Sequence, residues 1–290
     1  SATHADARRV EPNVDALAAA RYGNGAGFIW ENLLPMRIPA PRHDEVTALD
    51  RRAREAVRHY TPVQVRDRFM QRHLSGAGIQ QVWPELTHYL EARPEETDTL
   101  VTMMKKNEIS TDASPAFYIA LGRARTPLAM AALLDIMRDE VAPPIERIRA
   151  MFGMVDREDV GVPLAEEFAL MARNITRGKS DATRVLGREA LLALGAMAGL
   201  QQNEDITKVA VSAAALILEE GEDPVERRPG YGAVANIGDV AYMNFADEGS
   251  RKKDARDREA AAIVVRRMHP DDTSDFVAAW LAREDNAHVK

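Results

Sequence analysis

The residues of this chain that could do chemistry are few, and their spacings decide what they can do. Gly23, Gly25 and Gly27 could let backbone N–H groups approach a phosphate. Their run lacks the G-x-G-x-x-G spacing, a preceding strand and the Lys-Ser/Thr of a P-loop, so it reads as a flexible or close-packed turn. Glu85 and His88 stand three apart on a predicted helix, half of the motif that holds metals inside helical bundles. No second Glu-x-x-His copy accompanies them, and a surface or interhelix hydrogen bond is the expected role. Asp285 and His288 repeat that spacing near the last residues and take the same reading. Asp271, Asp272 and Asp275 miss the glycine that a calcium loop needs at its sixth position. Asp271 is instead the expected N-cap of a helix carrying Phe276, Val277, Trp280 and Leu281. A G-x-S-x-G elbow and a His-Glu-x-x-His zinc helix are both absent. On this reading the chain has no catalytic residue, no cofactor-binding residue and no metal ligand, and is not an enzyme.

Charge narrows the partners. With 38 Lys and Arg against 45 Asp and Glu, the net charge of −7 argues against a polyanion binder, which needs a concentrated basic surface. Nucleic acid is therefore not an expected partner. Arg251, Lys252 and Lys253 alternate with Asp254, Asp257 and Glu259, the pattern of a solvated helix face. Glu219, Glu220, Glu222 and Asp223 form an acidic loop, read as a solvated turn, with docking of a basic partner as the sharper alternative. Trp30, Trp83 and Trp280 are the large aromatics, and FIWENLLP at 28–35 is too short to own a core. It is expected to dock on the rest of the chain, a partner contact being the alternative. The absence of cysteine excludes disulfides and thiolate metal sites and leaves the compartment open. No apolar run approaches the roughly 18 residues of a membrane span.

The elements that must position these residues are helical. Apolar residues make up 46% of the chain but aromatics only 6%, a balance of Ala, Leu and Met that favours close-packed helices over sheets. The expected fold class is all-α. Residues 1–43, with Pro35, Pro39 and Pro41, read as an irregular leader packing on the helical domain of 44–290. Amphipathic stretches are expected at 44–59, 62–74, 79–92 and 95–107, with Pro62, Pro84 and Pro94 near their starts. Beyond Thr111 come SPAFYIALGRA (114–124), TPLAMAALLDIMRDE (126–140), PPIERIRAMFGMVD (143–156) and VPLAEEFALMARNI (162–175). Each opens on a proline-containing first turn and repeats its apolar residues at three- and four-residue steps.

A repeat underlies this spacing. Gly122, Gly153, Gly195 and Gly238 follow apolar helices at separations of 31, 42 and 43 residues, near the helix-pair period of HEAT-like arrays. Arg188-Glu189 and Arg258-Glu259 each precede an Ala-rich apolar helix. A helix held between neighbours on both sides is apolar nearly all round, which accounts for REALLALGAMAG at 188–199. The expected architecture is a two-layered α-solenoid of antiparallel helix pairs, most regular over 111–245 and closed by 254–268 and 271–284.

The run SPAFYIALGRARTPLAMAALLDIMRDEVAPPIERIRAMFGMVD, followed by REALLALGAMAG and YGAVANIGD, resembles the helical domain of vitellogenin-like large lipid-transfer proteins. The resemblance implies a horseshoe-shaped α-solenoid, which in that family wraps a lipid cavity walled by β-sheets. The sequence offers no set of alternating strand segments to build such walls. The leading expectation is thus a non-enzymatic scaffold or interaction module binding another protein. Lipid or apolar-ligand carriage is the alternative, and a HEAT-like lyase or glycosylase the third reading.

Overall fold

Prolines and short polar caps start most of the helices. In the computed structural model, which describes residues 55, 57–76, 79–155, 157, 160–286 and 289, the first long helix is α1 (Pro62–Leu74). Thr61 closes its start reciprocally: its hydroxyl accepts the Gln64 N–H at 3.2 Å, and the Gln64 side chain accepts the Thr61 N–H at 2.9 Å. There follow α2 (Ile79–Ala92), a 3-10 turn at Pro94–Glu96, α3 (Thr97–Lys105), α4 (Ser114–Arg123), α5 (Pro127–Arg138), α6 (Pro144–Met154) and α7 (Val162–Ala172). The second half comprises the short α8 (Asn174–Arg177), α9 (Asp181–Gln201), α10 (Glu204–Glu220) and α11 (Pro224–Ile237). It closes with α12 (Met243–Ser250), α13 (Ala255–Ala262) and α14 (Pro270–Arg283), with 3-10 turns at Val240–Tyr242 and Val264–Arg267. The protein is all-helical, with no strand among the described residues.

Two local expectations need correction. Pro84 lies inside α2, past its first turn, where its missing N–H leaves the carbonyl four residues earlier without a helical donor. The cap of α14 is His269, not Asp271: its ring Nδ1 accepts the Asp271 N–H at 3.3 Å. Pro270 suits the first helical position, where no N–H is needed, and this moves the start back and puts Asp271 into the first turn.

Alternate helices pack in series: α2 on α4, α4 on α6, α6 on α9, α9 on α11, and α11 on α13. The intervening helices α5, α7 and α10 lie against this series, α7 also touching α10. Glycine sets how closely the series packs. A Cβ added to Gly122 would stand 1.8 Å from the carbonyl oxygen of Gly153, so α4 and α6 meet backbone to backbone. The same holds for α9 and α11, where a Cβ on Gly195 would lie 2.4 Å from the Ala233 oxygen. Every residue from 189 to 198 is buried, as the apolar composition of that stretch demands. Gly238 does something else. It ends α11 in the left-handed conformation, φ 70°, and so is a cap while the other three are packing contacts.

Candidate functional site

Two left-handed residues bring four helix ends to one edge of the molecule. Gln202, φ 50°, terminates α9 with its N–H on the Ala198 carbonyl at 3.1 Å. Asn203 then caps α10, its side chain accepting the Asp205 and Ile206 N–H groups at 3.0 and 3.2 Å. Gly238 reverses the chain after α11 in the same way, and Asp239 accepts the Ala241 N–H at 2.9 Å to start the next 3-10 turn. The start of α14 completes the edge.

Between these ends lies a groove of about 810 Å³. Ala198 and Gly199 come from α9, Ile237 from α11 and Met268 from the approach to α14, giving a lining that is apolar and largely buried. Val240 and Tyr242 extend it toward solvent. The exposed lining is polar and acidic: Gln202 and Glu204, Asp239, and His269 with Asp272. Glu204 reaches Lys208 at 2.9 Å, but both side chains stay in water, and such a pair contributes at most about 1 kcal/mol. Neither α9 nor α11 carries a basic residue in its last turn. The negative ends of these two helices are offset by the positive ends of α10 and α14, which start at the same edge, so the three carboxylates set the sign of the field. An arrangement of this kind favours a cationic group set beside an apolar one.

The residues singled out by spacing are placed elsewhere and differently. Glu85 is held by Arg68 and by Arg72, the latter at 2.7 Å, while His88 Nδ1 lies 3.5 Å from Glu91, so this pair serves contacts between and within helices. Trp83 lies under the Arg123 guanidinium, 5.6 Å from the ring centre. In the acidic loop, Glu220 pairs with Arg177 at 2.6 Å and Asp223 caps α11 through the Val225 and Glu226 N–H groups. Arg251 pairs with Asp247 at 2.7 Å, and the carbonyls of Lys252 and Lys253 accept from Arg258. Gly23 to Gly27, Trp30, FIWENLLP, most of the expected helix at 44–59 and His288 lie outside the described residues. Among the described residues no three His, Asp or Glu side chains are grouped so as to hold a metal ion, and no helix is long and apolar enough to cross a membrane.

A repeated arginine escaped the reading of spacing. Arg184, Arg227 and Arg258 each stand four residues after an N-cap, at Ser180, Asp223 and Asp254. Each donates to the carbonyl six residues before it, Gly178 at 3.0 Å, Gly221 at 2.8 Å and Lys252 at 3.1 Å. Arg227 also grips Asp257 at 2.8 and 2.6 Å, and Arg258 grips Glu284 at 2.8 and 2.9 Å. The signal lay in GKSDATR, GEDPVER and KKDARDR, three stretches with a polar cap at the third position and arginine at the seventh. Two perturbed groups belong to these contacts. The hydrogen bond from Arg258 brings the Glu284 carboxyl down to about 2, and burial pushes the Tyr231 hydroxyl up to about 12. Both serve the fold, since neither lines the groove.

Comparisons with known protein families, curated proteins and solved structures return no match to this chain.

Proposed function

We propose that this chain is an α-solenoid, a two-layered array of antiparallel helix pairs, working as a non-enzymatic interaction module that binds another protein at the α9–α11–α14 edge. The groove carries the reading: about 810 Å³ of space with a mixed apolar and polar lining, opened at helix ends and not enclosed within the core. The serial packing of alternate helices supports the solenoid, because each such helix touches the one before and the one after it. The repeated cap and arginine, recurring 43 and then 31 residues along, support it further. Backbone-to-backbone contact at Gly122 and Gly195 draws one layer tighter than side-chain packing would, and on this reading that layer is the inner one of a curved stack.

The test is affinity capture with the full chain as bait from its native extract, at low and high salt. The reading expects one stoichiometric protein partner, retained by the wild type and reduced by the bulky substitution Val240→Trp at an exposed position of the groove lining. Capture of no protein at any salt contradicts it. Lipid recovered from an organic extract of the native protein, with no protein partner, favours carriage of an apolar ligand instead.

A further inference from the structure

The groove has a chemical preference that the interaction reading alone does not supply. Three exposed carboxylates, Glu204, Asp239 and Asp272, arrive from three separate elements. The partial negative charges at the ends of α9 and α11 are offset by the partial positive ones at the starts of α10 and α14, so the carboxylates set the sign of the field. Between them lie the exposed Val240 and the half-buried Tyr242 over a floor of buried Ile237 and Met268, a surface that can accept an apolar side chain. Of the lining residues only His269 can carry a positive charge, and Lys208 reaches in from one flank through a solvent-exposed pair. An anionic lipid headgroup or a nucleic acid phosphate would meet repulsion here. A bare metal ion would find no group of three ligands among the described residues.

We infer that the groove is the docking site for a basic amphipathic segment of a partner protein, one that seats an apolar side chain on Val240 and Tyr242, over Ile237 and Met268, and sets Lys or Arg side chains against Glu204, Asp239 and Asp272. Charge complementarity argues for this occupant, and the inference rests on the interaction-module reading. The segment needs no catalytic chemistry from its host. Long-range attraction between the acidic edge and a basic segment speeds the encounter, and the apolar contact sets how long the complex lasts. Binding therefore weakens steeply with salt, because much of it is contributed by exposed charges.

The test uses the full-length protein and a short fluorescent Lys/Leu amphipathic peptide, with its Glu/Leu counterpart as control, followed by fluorescence anisotropy. The triple variant Glu204→Gln/Asp239→Asn/Asp272→Asn removes the charge while Asn keeps the capping ability of Asp239. A second triple variant, Asp98→Asn/Asp112→Asn/Glu140→Gln, removes three exposed carboxylates elsewhere. The expected result is saturable binding of the Lys/Leu peptide, weakened about tenfold or more by the groove variant and within about twofold of wild type in the distant one. Equal weakening by both variants, preference for the Glu/Leu peptide, binding to anionic vesicles, or self-association that the groove variant abolishes each overturns the inference. A partner captured as strongly by the groove variant as by the wild type also overturns it while leaving the interaction-module reading standing. Failure to capture any partner overturns that broader reading instead.

Discussion

A methyl group on Gly122 has nowhere to go. The carbonyl of Gly153 occupies the position that it would need, and backbone cannot yield as a flexible side chain can. Gly122→Ala gains about 1 kcal/mol of helix propensity but forces α4 and α6 apart, an overpacking penalty of about 3 kcal/mol or more. Urea denaturation is therefore expected to give a lower midpoint for this variant. Gly161→Ala, whose added carbon would meet nothing closer than Pro163 at 3.4 Å, should stay within about 0.5 kcal/mol of wild type. Equal midpoints for the two variants would contradict the close crossing. Glu284 gives a second residue-scale prediction. Its carboxyl, held near 2 by Arg258, lies below the ordinary value of about 4.3, so the folded state releases this proton more readily than the unfolded state. The stabilisation is complete above the ordinary value and is lost as pH falls through about 2. Glu284→Gln should flatten the dependence of urea stability on pH between about 4 and 2, and an unchanged slope would refute the coupling. Gly122, Gly153 and Gly195, singled out by spacing, each lie where the backbone of a neighbouring helix comes close. Gly238 carries the same letter but caps a helix, a distinction that depends on φ and is invisible in the sequence.

At the scale of elements, most helices were legible because their starts are written in local chemistry. Pro127 and Pro144 sit at first turns, and Thr61 with Gln64 forms a reciprocal cap, so α1, α5 and α6 fall where the sequence places them. Pro84 was misplaced because a proline tolerates either the first turn or, with a lost hydrogen bond, an interior position, and packing decides between them; Asp271 was misplaced because Pro270 at the first helical position moves the cap back to His269. The arginine four residues after a cap ties each turn to its helix, and Arg227 illustrates what it holds. Removing it as Arg227→Met leaves Asp257, 2% exposed, as a buried charge without its main partner, at a cost of about 3–5 kcal/mol. The paired substitution Arg227→Met/Asp257→Leu should recover most of that loss in thermal or urea unfolding. A double variant no more stable than the single one would show that the pair does not act as a unit. Asp223→Ala, which removes the cap but not the pair, should cost about 1 kcal/mol, and Asp223→Asn much less, as read from the same unfolding curves.

For the whole molecule, the serial packing of α2, α4, α6, α9, α11 and α13 brings distant stretches of the chain together, and the groove belongs to that scale alone. Ala198 in α9, Ile237 in α11 and Met268 before α14 are distant in sequence, each an ordinary apolar residue in its own window. Nothing in their types or spacing says that Gln202 and Gly238 turn the chain at the same edge. The acidic loop at 219–223, read from sequence as a solvated turn with docking of a basic partner as the alternative, has Glu220 and Asp223 already occupied by Arg177 and the α11 cap. Glu204 and Asp239 drew no notice and Asp272 only as a calcium-loop candidate, because three single carboxylates become a field only when folding collects them. Chemical cross-linking of the captured complex, read by mass spectrometry, tests the account most directly. The account predicts partner cross-links concentrated at Glu204, Lys208, Asp239 and Asp272. Cross-links confined to α1 through α5, or a capture without a protein partner, would contradict it.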